Sequence, residues 1–150
     1  MLLICFLLNP KTPITNPEMT RFWIPLEQGP RFVMDCVDRM VGGEVFVPKI
    51  PSMKLGDVAK AIAKDAKWEV IGIRPGEKLH EKLITSEETE RTREFDRYFV
   101  INADHTYWNP GVITEGKPVD FDFEYSSNTN SWWITTEELH RHIDDLQVEC

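Results

Sequence analysis

The chain has 150 residues, of which 41% are hydrophobic and 28% are charged. This is the composition of one globular domain, and it excludes collagen, coiled coil and wholesale disorder. Lysine and arginine number 17 against 25 acidic residues, which gives a net charge of −8. We therefore expect no general affinity for nucleic acid or anionic membrane, although a few converging cations can still bind a phosphorylated ligand.

The first eight residues, MLLICFLL, are apolar but too few to span a bilayer. No basic segment precedes them and no small-residue cleavage site follows, so we do not expect a signal peptide. The three cysteines, Cys5, Cys36 and Cys150, lie far apart and match neither a metal site nor a disulfide framework. These features predict a reduced, cytoplasmic setting and no membrane span.

Residues 24–41 show helical periodicity. The apolar residues that recur on one face are Phe32, Val33, Cys36, Val37 and Met40. We expect Gly42-Gly43 to end this helix. Pro30 leaves two alternatives open, because the helix either begins at Pro30, where proline suits the first turn, or begins near Leu26 and kinks.

The next part of the chain alternates between strand and helix patterns. Glu44–Val47 is rich in Val and Phe and predicts a buried strand. Ser52 offers an N-cap oxygen for a helix with an apolar stripe from Leu55 to Ala63. Trp68–Ile73 predicts a second strand. The order helix, strand, helix, strand is typical of α/β folds.

The rest of the chain is less regular until its last helix. Residues 79–84 suit either a short helix or a strand, and residues 86–93 form a charged and mostly solvated stretch. Residues 95–101 predict a strand, and residues 102–131 predict an ordered but irregular loop. Thr135 with Glu138 then forms a capping box. Leu139, Ile143 and Leu146 follow at the spacing of an amphipathic helix.

The sequence lacks the motifs on which catalysis usually depends. No two glycines are two residues apart, so no G-x-G-x-x-G loop exists, and no tyrosine has a lysine four residues on. His80-Glu81 is not followed by the second histidine of a zinc motif. His140 and His142 are two apart, so a helix points them to different faces. We therefore predict no catalytic residue, no metal ligand and no cofactor contact in this chain.

Two arginines are candidate ligands for an anion. Arg74 follows the second predicted strand, at the end where ligands bind in α/β folds, and Pro75-Gly76 fixes the turn. The alternative for Arg74 is a surface side chain paired with Glu77 or Glu81. Arg21 lies in an apolar, aromatic run, where its charge needs a partner, which is either an acidic side chain or a ligand phosphate.

Two further features are weaker candidates. Lys49 and Lys54 flank Pro51-Ser52 and are anion candidates, although solvated lysines are the commoner case. Trp108 and Trp132-Trp133 can stack on a ring, but core packing is the commoner use of an indole.

Four segments carry a family resemblance: MTRFWIPLEQG, GGEVFVPKIPSMK, GIRPGEKLHE and the shorter YSSNTNSWW. They resemble the inverting UDP-N-acetylglucosamine 4,6-dehydratases, which belong to the extended short-chain dehydrogenase/reductases and to the polysaccharide-biosynthesis (CapD-like) family. The long segments occur in order and with plausible spacing. The resemblance runs from about Pro13 to about Ile143.

The resemblance covers only the C-terminal part of that family. It implies an α/β fold, the C-terminal substrate-binding lobe of an extended short-chain dehydrogenase/reductase, without the N-terminal Rossmann lobe. In the family that missing lobe binds NADP and carries the catalytic residues, so none of these is expected here. The implied reaction oxidises C4 of the sugar, removes the C5 proton and the 6-hydroxyl, and returns hydride to C6 with inversion at C5. Its product is a 4-keto-6-deoxy sugar nucleotide used for surface polysaccharide or flagellin glycans.

The resemblance also implies which residues contact the substrate. Arg21 and Arg74 match the arginines that hold the UDP diphosphate. Thr15 falls where the family contacts substrate, and Asn130 in the closing motif is carried over as a further contact.

The domain division implied is an out-of-context segment over residues 1–12, a sugar-nucleotide-binding lobe over 13–146, and a tail over 147–150. Three functions are compatible with this: a dehydratase lobe that is inactive alone, one half of a split enzyme, or a non-enzymatic binding or assembly module. The partners expected are a UDP-N-acetylglucosamine-type sugar nucleotide and, for a split enzyme, a separate Rossmann lobe. The family also allows a homo-oligomer.

Overall fold

The computed structural model describes residues 11–62, 67–104 and 111–148, and these form two compact units. Unit 1 comprises the described residues within 1–22, 51–81 and 130–150, and unit 2 comprises those within 23–50 and 82–129. In chain order the elements are β1 Lys11–Ile14, β2 Thr20–Phe22, α1 Gln28–Val37, β3 Val45–Pro48, β4 Ser52–Lys54, α2 Leu55–Ile62, β5 Lys67–Val70, β6 Lys82–Ile84, a 3₁₀-helix Ser86–Arg91, β7 Thr92–Glu94, β8 Tyr98–Ile101, β9 Lys117–Pro118, β10 Tyr125–Ser126 and α3 Thr136–Val148.

Unit 1 consists of two small sheets and two helices. β1 and β5 pair in parallel, whereas β2 and β4 pair antiparallel. Helix α2 follows β4 directly, and its first backbone N–H groups donate to the carbonyls of Met19 and Pro17. These bonds satisfy donors that a helix start leaves unpaired. A Cβ added at Gly56 would lie 3.0 Å from the Pro17 oxygen, closer than most real Cβ contacts, so this close approach favours glycine. The buried apolar residues of unit 1 are Ile14, Met19, Met53, Ala59 and Leu139.

Unit 2 is built on a four-stranded antiparallel sheet in the order β3–β8–β7–β9. β6 and β10 form a separate antiparallel pair. In β8, which has a strand on each side, Phe99, Val100 and Ile101 are all buried. The Phe99 ring centroid lies 5.2 Å from that of Phe123 and 5.2 Å from that of Tyr125. Aromatic pairs at this spacing stabilise a core beyond the area they bury.

The mixed α/β class predicted from the sequence is confirmed. The two strands expected between residues 24 and 73 both form, as β3 and β5, but they belong to different sheets and different units. β3 pairs with β8 and β5 pairs with β1. A strand pattern fixes which residues are extended, but it does not fix the partner strand, and here both partners are distant in sequence.

Helix α1 is shorter than the expected helix over residues 24–41. It begins at Gln28 with Pro30 in its first turn, where the missing proline N–H has no intrahelical partner to lose. The structure thus follows the first-turn alternative, with a start two residues earlier. The helix ends at Val37, so Gly42-Gly43 does not end it. Both glycines instead adopt positive φ before β3.

The apolar stripe of α1 is only partly covered in the described residues. Phe32 packs near Tyr98 of the sheet, with ring centroids 6.3 Å apart. Val33 and Val37 are 59% and 55% exposed, although the periodicity predicted them on the buried face. Helical periodicity identifies a face that is suited to burial, but it does not show that the rest of the same chain covers it.

The two predicted helix caps have different outcomes. Ser52 is wrong as an N-cap, because it belongs to β4 and the Leu55 amide that starts α2 bonds to the Met19 carbonyl instead. The Thr135–Glu138 capping box is confirmed. The Glu138 N–H donates to Thr135 Oγ1 over 3.2 Å, and the Thr135 N–H donates to Glu138 Oε2 over 2.8 Å. Leu139 is buried as expected, while the side chains of Ile143 and Leu146 lie outside the described residues.

Several boundaries differ from those predicted. The strand expected over 68–73 ends at Val70, and the one expected over 95–101 begins at Tyr98. The ambiguous residues 79–84 yield the strand β6. The stretch 86–93, expected to be solvated, buries Thr89 and Thr92, because both hydroxyls donate to backbone carbonyls. The expected loop after residue 101 contains the short strands β9 and β10, and residues 105–110 lie outside the described ranges. Among the helices described, none is long and apolar enough to cross a membrane.

Candidate functional site

Two of the predicted site residues lie beyond the carboxyl ends of neighbouring parallel strands. Thr15 follows β1 immediately, and Arg74 lies four residues after the end of β5. Ile14 stands opposite Val70, and the Ile71 N–H donates to the Ile14 carbonyl over 2.9 Å, so the pairing extends one residue past the end of β5. The carboxyl end of parallel strands is where α/β folds place ligands.

A tight turn carries Arg74. The Glu77 N–H donates to the Arg74 carbonyl over 3.0 Å, and the Arg74 N–H donates to Glu77 Oε2 over 3.1 Å. Gly76 has φ of 82°, a conformation that glycine adopts at little cost. The Arg74 side chain is exposed, and its guanidinium has no ion pair or hydrogen bond with the described residues. Glu77 therefore fixes the backbone of Arg74 and does not neutralise its side chain.

The Arg21 side chain is held quite differently. Its Nη1 donates to the carbonyls of Thr20 and Leu79, over 2.7 and 3.2 Å. Its Nη2 donates to the Lys78 carbonyl over 3.0 Å. Its Nε lies 3.6 Å from Glu81 Oε1. The acidic partner that the sequence left open for Arg21 is thus Glu81, and backbone carbonyls supply the other acceptors.

Segment 78–81 is fastened to β2 along its length. The Thr20 N–H donates to the Leu79 carbonyl over 3.0 Å, and the Thr20 hydroxyl shares a hydrogen bond of 2.8 Å with His80 Nδ1. The Phe22 N–H donates to Glu81 Oε2 over 2.8 Å. Glu81, which the sequence offered as an alternative partner of Arg74, lies beside Arg21 instead, and His80 was not expected to take part. The sequence signal that could have pointed to both residues is their position at the end of the family-like segment GIRPGEKLHE.

Thr15 and Arg21 meet at one buried methionine. The Thr15 hydroxyl donates to Met19 Sδ over 3.1 Å, and Arg21 Nη2 lies 3.9 Å from the same sulfur. Met19 has no exposed surface. The side chain therefore links the end of β1 to the strand that carries Arg21.

Asn130 is anchored at the other edge of the β2–β4 sheet. Its Nδ2 donates to Ser52 Oγ and to the Trp132 carbonyl, each over 3.0 Å. Ser52 is opposite Phe22 in the pairing of β2 with β4. All four predicted site residues, Thr15, Arg21, Arg74 and Asn130, thus belong to unit 1.

The weaker candidates do not join this group. Lys49 pairs with Glu94 at 2.7 Å in unit 2, and Lys54 pairs with Glu18 at 3.1 Å in unit 1. Trp132 is 54% exposed, so the expectation of core packing is wrong for it, and Trp108 lies outside the described residues. The described ranges contain no cluster of three or more His, Cys, Asp or Glu residues that suits a metal ion.

Comparison with known proteins places the chain in a family. The model of the polysaccharide biosynthesis protein family matches residues 9–103, more than half of the chain. A UDP-N-acetylglucosamine 4,6-dehydratase (inverting) of Campylobacter jejuni serotype O:2 is 44% identical over 142 residues, which cover 90% of this chain and 42% of that protein. The protein of the same name from serotype O:23/36 is 42% identical over 134 residues, 85% of this chain and 40% of that protein.

A solved structure agrees with this assignment. The X-ray structure of Pen from Bacillus thuringiensis superposes with a TM-score of 0.78 and 26% identity, and it matches 97% of this chain and 43% of that one. The chain thus spans about two fifths of the length of the relatives it matches. Three of the four family-like segments lie within residues 9–103, and YSSNTNSWW lies beyond them. The chain is a member of the polysaccharide biosynthesis protein family.

Proposed function

We propose that this chain is the C-terminal, sugar-nucleotide-binding lobe of a UDP-N-acetylglucosamine 4,6-dehydratase of the inverting type. Arg74 carries the proposal, because its guanidinium is exposed, has no carboxylate partner among the described residues, and lies beyond the carboxyl end of a parallel strand pair. Both Campylobacter jejuni relatives bear the name of this enzyme. The proposed substrate-binding residues are Thr15, Arg21, Arg74 and Asn130.

Electrostatics support a local anion site in unit 1. The chain carries a net charge of −8, so a pyrophosphate is repelled by most of its surface and is attracted only where cations stand without acidic partners. Lys49, Lys54 and Arg21 each have a carboxylate partner within 4 Å. A planar guanidinium with several donors suits the oxygens of a diphosphate. Arg74 is the residue in this set that remains available for it.

The nicotinamide cofactor of the implied reaction does not fit the residues of this chain. A dinucleotide loop needs glycines between a strand and the helix that follows. The described connections from β2 to α1, from β4 to α2 and from β10 to α3 contain no glycine. We infer that NADP and the catalytic residues belong to a Rossmann lobe outside this chain, and that this chain alone does not turn over substrate.

The proposed lobe extends over residues 13–146, with 1–12 and 147–150 outside it. We place the protein in the cytoplasm, because its three cysteines show no disulfide pattern. The class of the enzyme is a lyase, since the implied chemistry eliminates the 6-hydroxyl. A downstream use in surface polysaccharide or flagellin glycans follows from the same proposal.

Ligand-observed NMR with UDP-N-acetylglucosamine tests the binding role. We expect the intact chain to bind UDP-N-acetylglucosamine and UDP, and to bind uridine and free N-acetylglucosamine much more weakly. Arg74→Ala is expected to weaken UDP-sugar binding by roughly tenfold or more, because it removes a charge-assisted contact. Arg31→Ala, an equal change of charge at an exposed position of α1, is the control and is expected to bind like the parent.

Two results would contradict the proposal. Absence of binding by the intact chain at millimolar UDP-N-acetylglucosamine would remove the site altogether. Equal weakening by Arg74→Ala and Arg31→Ala would show that only net charge matters. A 4-keto product formed from UDP-N-acetylglucosamine and NADP by this chain alone would contradict the inference that the redox chemistry lies elsewhere.

An assembly role is the second candidate, and the exposed face of α1 favours it. Met34 of α1 is 68% exposed, in addition to Val33 and Val37, and Met40, three residues beyond the helix, is 55% exposed. Clustered apolar exposure marks a surface that another protein covers. Light scattering of the chain alone, and of the chain mixed with a separately expressed Rossmann lobe, distinguishes self-association from the completion of a split enzyme.

A further inference from the structure

We propose that Glu81 is the counter-ion of Arg21 in the free chain, and that the diphosphate of a bound sugar nucleotide takes its place. The inference rests on the proposed function, because it concerns how the same site receives its ligand. Both arginines contact the diphosphate, but Arg21 does so by exchanging one anion for another.

Three of the five N–H groups of Arg21 are anchored to backbone. An arginine has two N–H groups on each terminal nitrogen and one on Nε. Both groups on Nη1 donate to carbonyls, those of Thr20 and Leu79, and one group on Nη2 donates to the Lys78 carbonyl. These bonds hold the guanidinium in place before a ligand binds, whether or not Glu81 keeps its contact.

The other two N–H groups of Arg21 have long contacts. Nε lies 3.6 Å from Glu81 Oε1, beyond hydrogen-bond distance, and Nη2 lies 3.9 Å from Met19 Sδ, a weak acceptor. Two N–H groups on neighbouring nitrogens suit two oxygens of a phosphate, at about 2.7–2.9 Å each. A phosphate therefore gains most at the side of Arg21 where Glu81 lies in the free chain.

Glu81 is anchored by its second oxygen. Its Oε2 accepts the Phe22 N–H over 2.8 Å, and 42% of its side chain is exposed. The Thr20 N–H bonds the same segment through the Leu79 carbonyl over 3.0 Å. Loss of the contact between Oε1 and Arg21 consequently leaves segment 78–81 bonded to β2, so an anion can replace the carboxylate without unfolding the site.

Charge favours the exchange. A diphosphate carries more negative charge than a carboxylate and offers more acceptor oxygens to a guanidinium. The two anions also repel each other, so a carboxylate that stays beside Arg21 lowers the affinity of the site for a diphosphate. Arg74 has no carboxylate partner among the described residues and is available to a ligand at once. Arg21 becomes available when Glu81 gives up its place.

Glu81→Gln tests the exchange, because an amide keeps the side-chain shape and an oxygen for the Phe22 N–H but removes the charge. We expect Glu81→Gln to bind UDP-N-acetylglucosamine and UDP roughly fivefold more tightly than the parent, the size of a screened repulsion between nearby charges. Uridine, which has no phosphate, should bind equally to both proteins. Equal or weaker UDP binding by folded Glu81→Gln would overturn the inference, since a purely structural Glu81 predicts no gain.

Glu18→Gln is the matched control. It removes the same charge from the same unit, where Glu18 pairs with Lys54 at 3.1 Å and its side chain is 71% exposed. We expect it to bind UDP like the parent. An equal gain in both variants would assign the effect to net charge and overturn the role of Glu81. Protection of the Val100 amide in unit 2 against hydrogen exchange reports whether each variant is folded.

The Nε–H signal of Arg21 provides a readout that does not need the sugar nucleotide. It is assigned by its absence in Arg21→Lys and followed by NMR during a titration with inorganic pyrophosphate. We expect the signal to shift in the parent, and to shift at lower pyrophosphate concentration in Glu81→Gln. A signal that moves in neither protein would overturn the inference. If the parent does not bind UDP-N-acetylglucosamine, the proposed function fails, and this titration still decides whether an anion replaces Glu81.

Discussion

The interactions that stabilise unit 1 internally differ in kind from those that stabilise unit 2. Unit 2 has a four-stranded sheet whose central strand is buried and packed with aromatic rings. In the residues that the structure describes, the sheets of unit 1 are two-stranded, and side chains of Arg21, Glu81 and Asn130 bond to backbone groups of neighbouring segments. The proposed binding residues all lie in unit 1. Binding residues commonly lie on irregular connections next to regular elements, and unit 1 has more of these connections around its proposed site than the sheet of unit 2 has.

The strongest test of the contrast is Phe99→Ala in the core of unit 2. Phe99 is 4% exposed and contacts two other aromatic rings. We expect a loss of about 3–5 kcal/mol in the free energy of unfolding, measured by urea denaturation. Phe121→Ala is the matched control, because Phe121 is 82% exposed and its loss should change stability by no more than about 0.5 kcal/mol. Similar losses for both variants would refute the aromatic core.

Met19→Ala tests the core of unit 1 in the same way. Met19 has no exposed surface and lies against Thr15 and Arg21. We expect a loss of about 2–5 kcal/mol in the free energy of unfolding. Met34→Ala is the control, since Met34 is 68% exposed. A Met19→Ala protein as stable as Met34→Ala would mean that unit 1 has no packed centre at this position.

The capping box of α3 gives a smaller effect. Thr135→Ala removes the oxygen that accepts the Glu138 N–H, and we expect a loss of about 1 kcal/mol in the free energy of unfolding. Thr135→Ser keeps a hydroxyl and is expected to restore most of the stability. If serine is no better than alanine, the hydroxyl does not cap this helix.

Acid should weaken the same cap. Hydrogen bonds from the backbone N–H and then the hydroxyl of Thr135 lower the pKa of Glu138. The folded state therefore prefers the charged carboxylate, and its stabilisation is complete above the ordinary glutamate pKa of about 4.3 and is lost as the pH falls through the lowered value. An NMR titration of the Glu138 carboxyl measures this. In Thr135→Ala the midpoint should rise only part of the way, because the backbone N–H remains.

Surface ion pairs should matter least, and equally in both units. Lys54 pairs with Glu18 in unit 1 and Lys82 pairs with Glu124 in unit 2, all with partly exposed side chains. We expect Lys54→Ala and Lys82→Ala each to cost about 0.2–1 kcal/mol in the free energy of unfolding, and less at high salt. A loss several times larger in either variant would show that the pair does more than lie on the surface.

The sequence predicted the fold best where the signal is local. The Thr135–Glu138 capping box is confirmed, because a cap depends on residues three positions apart. Ser52 is wrong as a cap, because its place is set by pairing with Phe22, thirty positions earlier in the chain. The exposed face of α1 was also wrongly predicted to be buried, because burial depends on contacts with residues distant in sequence. Periodicity describes the helix, but what covers it depends on other parts of the protein.

The same limit applies to the candidate site, where contacts between residues distant in sequence could not be predicted. The positions of Arg74 and Arg21 in the sequence first marked them as candidates and the family-like segments supported them, and their roles as ligands remain predictions. The sequence could not indicate that the two arginines have different hydrogen-bond partners. The Lys78 and Leu79 carbonyls, which accept hydrogen bonds from Arg21, are nearly sixty positions away. Backbone acceptors leave no trace in side-chain identity, so only the folded structure shows them.

One buried amide of unit 2 shapes what the chain can tolerate. Asn102 donates through Nδ2 to the Ile113 carbonyl and accepts the Ile113 N–H at Oδ1, as one strand residue does with its neighbour in a sheet. The two ends of the connection 103–112 are therefore joined by a single side chain. We therefore expect the register of β8 to be insensitive to a change in chain length between these two residues, provided that the asparagine is kept.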